Sequence, residues 1–262
     1  RFISESAVYN AEAQYNNSVA GFEFVLGGSF EESLPESNGT FLSDTTGNDL
    51  SFTRFGFSAQ VEREFGPLKA VAAGRFDSQE NYGEQFNPKA GLVYQTGVGN
   101  FRVTYGEAFV APTPLQQEIF IPLGELNGTP IIARGNANGF TLADGTEIPE
   151  LDPTSVQTWE IGYKGALTEA LYLDVNGYRS FQEDFVAPLQ PIGVATQRGG
   201  VTQDPELVFT YQNFGEVVNY GIDATVTYEV NENLSLNGTY SYFDADIDEE
   251  TFDINDDGAL TP

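Results

Sequence analysis

The chain has 262 residues, with eleven Lys and Arg against thirty-nine Asp and Glu, a formal charge of -28. That length suits one large β domain or two ordinary ones, and the charge argues against sequence-independent nucleic-acid binding because phosphates would be repelled. With no His and no Cys, a histidine- or thiolate-bound zinc site, a Ser-His-Asp triad, a Cys-His dyad and a disulfide framework are all excluded.

The chain opens on "RFISESAVYN", with no Met and no apolar leader core. We therefore expect an internal piece of a longer chain. Ala7, Tyr9, Ala11, Ala13 and Tyr15 then alternate with Val8, Asn10, Glu12 and Gln14. Phe22, Phe24, Leu26, Gly28 and Phe30 oppose Glu23, Ser29 and Glu31, and Phe55, Phe57, Ala59 and Val61 oppose Arg54, Ser58, Gln60 and Glu62. Leu68, Ala70, Ala72, Gly74 and Phe76 oppose Lys69 and Arg75, and shorter runs carry Ala90, Leu92, Tyr94 and Phe101, Val103, Tyr105. "EIGYKGALTEALYLDVNGY" reads as a hairpin, and two last runs cover Val218 to Tyr228 and Leu234 to Tyr242. Period-two alternation of this kind predicts roughly ten antiparallel strands, and no helical segment competes.

The links alternate in length. Short ones lie at "NNSVA", "EFGP", "TGVGN", "GALTEA" and "NEN". Long ones run from Ser33 to Asp49, Val110 to Ser155 and Ala187 to Glu206, with a shorter one at "SQENYGEQ". This layout puts tight turns at one end and long loops at the other, as in an up-and-down transmembrane β-barrel. Greek-key sandwiches scramble it. Aromatics reinforce the reading. Tyr15, Phe22, Tyr94, Phe101, Tyr163 and Tyr228 lie beside short turns, and Phe30, Phe76, Phe109, Tyr178 and Tyr240 lie farther up. Two aromatic bands around Ala, Val, Leu and Gly are the girdles of a lipid-facing wall. On this reading Ile161, Tyr163, Leu171, Leu173 and Val175 face lipid, while Lys164, Asp174 and Asn176 face the lumen.

Three segments carry a resemblance. In "LDPTSVQTWEIGYKGALTEALYLDVNGYRSFQEDF", Leu151, Pro153, Glu160, Gly162 and Lys164 match a Leu-x-Pro-Glu start before Glu-x-Gly-x-Lys, with Thr154 in place of the usual Glu. In "FNPKAGLVYQTGVGNFRVTYGEAFVAPTPLQQ", Pro88, Lys89, Gly91, Tyr94, Tyr105, Gly106, Phe109, Ala111 and Pro112 match a second strand pair. "NFGEVVNYGIDATVTYEVNENLSLNGTYSYFDAD" matches a third. Together, over Phe86 to Asp246, the chain resembles TonB-dependent outer-membrane receptors.

That resemblance implies part of a barrel of about twenty-two strands in the bacterial outer membrane, plugged by an N-terminal domain. It implies a non-enzymatic receptor that imports a scarce nutrient (siderophore-iron, cobalamin or glycan) with TonB-coupled energy, with lipid, plug and TonB as partners. The plug and the closing strands are expected outside these residues, since ten strands cannot close at that diameter. The resemblance also puts "EAFVAPTPLQQEIF" beside a substrate chamber, making Phe109 and Gln116 candidate ligand contacts. The alternative is that Pro112 and Pro114 merely end the strand. The inward Arg54, Arg75, Lys89, Arg102 and Lys164 are too sparse and scattered to define an anion site; the resemblance implies plug contacts, and isolated charges in a wet lumen are the equal alternative.

"DINDDG" fits the first half of a calcium loop, with Asp253, Asn255 and Asp257 as oxygen ligands and Gly258 at the turn. A solvated acidic loop, continuing an acidic rim of Asp244, Asp246 and Asp248, is the plain alternative. No other cofactor is implied. Two rival readings of the sequence stay open: a complete small ten-stranded barrel (porin, adhesin or protease) and a secreted calcium-binding β-sandwich adhesin.

Overall fold

The computed structural model describes residues 2–44, 49–198 and 201–247. Its strands in chain order begin with β1 (Glu5–Val19), β2 (Phe22–Glu36), β3 (Phe52–Phe65), β4 (Leu68–Gln79), β5 (Gly83–Thr96) and β6 (Gly99–Val110). A short helix, α1 (Pro114–Glu118), precedes β7 (Phe120–Leu126), β8 (Thr129–Arg134), β9 (Phe140–Thr141) and β10 (Glu147–Ile148). The chain continues with β11 (Thr154–Ala166), β12 (Leu171–Val186), β13 (Gln190–Arg198), β14 (Val201–Thr210), β15 (Asn213–Asn231) and β16 (Leu234–Ile247).

Ten of these form one antiparallel sheet in the order β1-β2-β3-β4-β5-β6-β11-β12-β15-β16. They are the ten strands that the alternation predicts. Each pairs with its neighbour in that set, as an up-and-down wall requires, and among the described residues the sheet is open, with β1 and β16 at its edges. β1 and β2 have 15 residues each. At about 3.3 Å per residue that is roughly 50 Å, well beyond the ~10 residues a membrane-spanning strand needs. The wall therefore extends past a hydrocarbon layer.

The short links are tighter than the alternation predicts. β1 runs into β2 through Ala20 and Gly21, both at positive φ (53° and 79°), the two-residue geometry that matches strand twist. That turn fixes the register Val19–Phe22, Tyr15–Leu26 and Ala11–Phe30.

The long links are not irregular. α1 corrects the expectation that no helix is present. Thr113 caps it in a capping box with Gln116, and Pro114 opens it. These are strong start signals, but five residues are too few to show a helical period. β7, β8, β13 and β14 form a second sheet in the order β13-β14-β8-β7, and β9 pairs with β10. Within that sheet β14 runs parallel to β8 through Leu207–Ile131, Val208–Ile132 and Phe209–Ala133. The 111–153 and 187–212 loops are thus joined into one cap over the end of the wall opposite the tight turns. The 37–44 segment joins them through a Leu42–Ile119 bridge and hydrogen bonds from Ser43 N to Glu118 O (2.8 Å) and Phe120 N to Phe41 O (2.8 Å).

The two faces of the wall differ sharply. One face carries the ion pairs Arg54–Glu31 (3.2 Å), Lys69–Glu62 (2.6 Å), Arg75–Asp77 (2.7 Å) and Lys164–Asp174 (3.0 Å). The other presents Phe57, Phe86, Trp159, Ile161 and Phe101, all more than half exposed. Cross-strand ring pairs run along it, Tyr105–Trp159 at 4.6 Å and Phe101–Tyr163 at 4.7 Å between centroids. Tyr178 corrects the aromatic-band expectation. Its register partners are Glu160 and Gly221, so it shares the polar face with Asp174 and Asn176, and the outward neighbour is Arg179.

Candidate ligand chamber

The polar face holds a cleft of about 560 Å³ on β2 to β6, near the cap, lined among others by Arg54, Ser58, Arg75, Asp77, Asn87 and Lys89. A second hollow of about 510 Å³ shares Lys89 and adds Thr104, Thr158 and Glu160. Registers explain why these side chains meet. Arg75 lies across from Ser58 and from Asn87, and Lys89 across from Ala73 and from Gly106.

Asp77 is 2% exposed. Arg75 grips both its oxygens, Nε to Oδ2 and Nη2 to Oδ1 at 2.7 Å each, and Nη2 also donates to Ser29 Oγ at 3.1 Å. Such a fork satisfies a carboxylate that would otherwise be costly to bury. Gly56 makes room for it. A methyl there would lie 3.0 Å from Asp77 Oδ1 and closer still to Arg75 and Ser29. Gly162 does the same for Arg102, whose Nη2 donates to Asn176 Oδ1 at 3.0 Å. These two glycines are a signal that alternation counting passes over, since glycine inside a strand often marks close approach.

Among the inward cations, Arg54, Lys69, Arg75 and Lys164 each have a carboxylate, and Arg102 has an amide. Lys89 differs. Among the described residues it has no carboxylate within ion-pair distance, and it borders both hollows.

Phe109 borders the larger cleft. Instead of joining the outward aromatic band, its ring lies 5.4 Å from that of Tyr82. Tyr82 is buried at the β4–β5 turn, where burial raises its phenol above the ordinary value against the opposing pull of Arg54. Gln116 is placed differently. Its Oε1 accepts from Thr113 N (2.7 Å) and Thr113 Oγ1 (3.0 Å) at the start of α1, so that oxygen serves the helix cap. Its neighbour Gln117, which sequence reading missed, is 3% exposed, donates to Pro112 O and accepts from Asn81 Nδ2, both at 3.0 Å. It ties the β4–β5 turn to α1. Asp253, Asn255 and Asp257 lie outside the described residues, as does Asp248. Among the described residues no cluster of three or more Asp or Glu could hold a metal ion.

Above the cleft, between the β4–β5 turn and the cap, lies a hollow of about 580 Å³ with Glu80, Glu118, Glu150 and Asp152 on its rim.

The sequence model described as "TonB dependent receptor-like, beta-barrel" matches residues 1–261. The chain belongs to the TonB-dependent receptor β-barrel family. The family is one of receptor β-barrels. No curated protein sequence matches the chain. Solved structures agree on the fold. The siderophore receptor PirA from Pseudomonas aeruginosa superposes with a TM-score of 0.72 at 16% identity, over 94% of this chain and 44% of that one. PirA from Acinetobacter baumannii gives 0.67 at 12%, over 92% and 36%. The FrpB iron transporter from Neisseria meningitidis gives 0.60 at 12%, again over 92% and 36%. The chain therefore spans less than half the length of these solved proteins, and within its described residues the sheet does not close.

Proposed function

We propose that these residues form part of the wall and cap of an outer-membrane receptor that captures a scarce nutrient and imports it with TonB-coupled energy, the plug and remaining strands lying outside them. The observation that carries the reading is the chamber itself: a hollow on the polar face of a lipid-type wall, beneath a folded cap, with Lys89 uncompensated beside Arg54 and Arg75. Such a station suits an anionic cargo, because a cation without a carboxylate partner is available to a ligand's oxygens. Several of the structurally similar proteins are named as siderophore or ferric enterobactin receptors. Among siderophore-iron, cobalamin and glycan, the chamber favours the negatively charged iron chelates.

Equilibrium binding of a panel containing ferric catecholates, ferric hydroxamates, cobalamin and neutral oligosaccharides tests this. Lys89→Gln should weaken the ferric catecholate at least about tenfold, as loss of one charge-assisted hydrogen bond does, and leave any neutral ligand unchanged. Binding of oligosaccharide alone, or a catecholate affinity indifferent to Lys89, would remove the assignment.

A further inference from the structure

Arg63 is the second-to-last outward residue of β3 before the tight Gly66–Pro67 turn. Its guanidinium lies 4.3 Å from the centroid of Phe22 and 5.1 Å from that of Phe65. Register puts it across from Phe22 and from Ala70, in line with Leu92, Val103 and Ile161. It shares the apolar face. The acids of this corner are on the other side: Glu62 and Glu64 alternate inward, Glu23 is across from Glu62, and Lys69 takes Glu62 at 2.6 Å. Among the described residues Arg63 makes no ion pair. In a chain of charge -28, a cation placed where none of its own carboxylates can reach is a departure that calls for an outside partner.

The inference rests on the reading that this face meets lipid. Two positions from the turn end is roughly 7 Å of strand, the level at which a wall passes from hydrocarbon into headgroups. An arginine there is held by the two rings with its fork free, and guanidinium matches phosphate geometry in a way a lysine ammonium does not. We propose that Arg63, collared by Phe22 and Phe65, is a binding site for the phosphate of an anionic phospholipid in the leaflet on the short-turn side. The lipid supplies the counter-ion that the wall omits. Arg179 is the contrasting case. It also faces outward, over a single ring (Phe181, 4.8 Å), but higher on the wall and in register with Tyr220, which holds Asp244 at 3.1 Å.

The test is native mass spectrometry of the receptor released from nanodiscs containing equal phosphatidylglycerol and phosphatidylethanolamine. The wild type should retain phosphatidylglycerol preferentially. Arg63→Gln should cut that retention about fivefold, the factor one basic residue commands at an anionic surface. Arg63→Lys should keep part of it, and Arg179→Gln should keep all of it. Equal retention of the two lipids by the wild type, or undiminished phosphatidylglycerol on Arg63→Gln, overturns the proposal. Displacement by excess inorganic phosphate also overturns it, by reducing the site to a bare anion site. Quenching of Trp159 by brominated lipid in the same nanodiscs separates the two levels. A quenched Trp159 with an indifferent Arg63 sinks the site alone, and an unquenched Trp159 sinks the lipid-facing wall together with it.

Discussion

The wall and the cap are built from one chain on opposite rules. In the cap, Ala195 and Val208 are 0% exposed, Ile148 6% and Leu142 7%, with Phe140 and Ile192 packed against them. Buried donors there are paired, although Asn136 Oδ1 has no partner. Asn136 donates to Pro149 O (2.7 Å) and Tyr211 O (3.1 Å), and Thr210 donates to Arg134 O (2.6 Å). In the wall, apolar side chains point away from the protein and the ion pairs lie on the hollow side. A protein that folds in water hides its apolar atoms, so only the cap is organised for water on its outside. The difference shows that hydrophobicity alone does not identify a core. What identifies it is which face of each strand the neighbouring elements cover.

Substitutions that put charge on apolar positions sharpen this contrast. The largest effect is expected in the cap. Val208→Asp buries a carboxylate with no partner in the Leu142–Ile148–Ala195 cluster and should cost about 3–5 kcal/mol of cap stability. Hydrogen exchange should then show β8 and β14 losing protection while β4 and β5 keep theirs. A uniform loss across both sheets would mean that cap and wall are one cooperative unit. Ile161→Lys is the companion on the wall. Ile161 is 65% exposed. At a water-exposed surface the change should fall within about 0.5 kcal/mol, but in a bilayer it should cost about 2–4 kcal/mol. Urea unfolding from lipid vesicles distinguishes the two, and a value near zero would break the contrast.

The wall was legible because its signal repeats. Phe55, Phe57, Ala59 and Val61 against Arg54, Ser58, Gln60 and Glu62 state the period four times within one strand, and ten strands restate it. The tight turns were legible in position rather than in detail: "EFGP" contains Gly66–Pro67, whereas "NNSVA" stops short of Gly21 and takes in Asn16 to Val19, which belong to β1. The cap was not. β7 carries Pro122 and Gly124, with a register shift between them, and β13 has shifts at Pro191/Gly193 and Ala195/Gln197. Each shift breaks the period-two pattern. Pairing of β8 with β14 joins residues more than 70 positions apart, which no local window contains. The chamber was legible only in part. The inward parity of Arg54, Arg75, Lys89 and Arg102 follows from alternation, but their partners depend on cross-strand register. Phe109 and Tyr178 depart from the expected face for different reasons. Phe109 lies beyond Gly106, the last β6 residue paired with β5, where Tyr82 takes its ring. Tyr178 falls on the inward parity once Leu171, Leu173 and Val175 are outward.

A smaller effect tests whether the cap is fastened to the wall at its edge. Asp44 is 6% exposed in the segment that follows β2. Ser37 N donates to its Oδ2 at 2.5 Å and Ser37 Oγ donates to Oδ1, with Gly39 N at 3.4 Å. Burial alone would raise this carboxyl, but the donors from Ser37, Gly39 and Asn38 prevail and hold it below its ordinary value. A group whose folded pKa is lowered contributes stability that is fully present above the unfolded value, near 3.8, and is lost as pH falls through the folded one. The 37–44 segment should therefore stay docked on α1 at neutral pH and loosen only below about pH 4. Asp44→Asn keeps the shape but gives up charge-assisted acceptance, and should cost about 1–2 kcal/mol at pH 7 and much less at pH 3. Proteolysis between β2 and β3, followed against pH, reads this directly. Because Leu42 bridges to Ile119 and Ser43 bonds to Glu118, the loosened segment should take protection from α1 with it while the β1–β2 hairpin, whose register is set at the far turn, keeps its own.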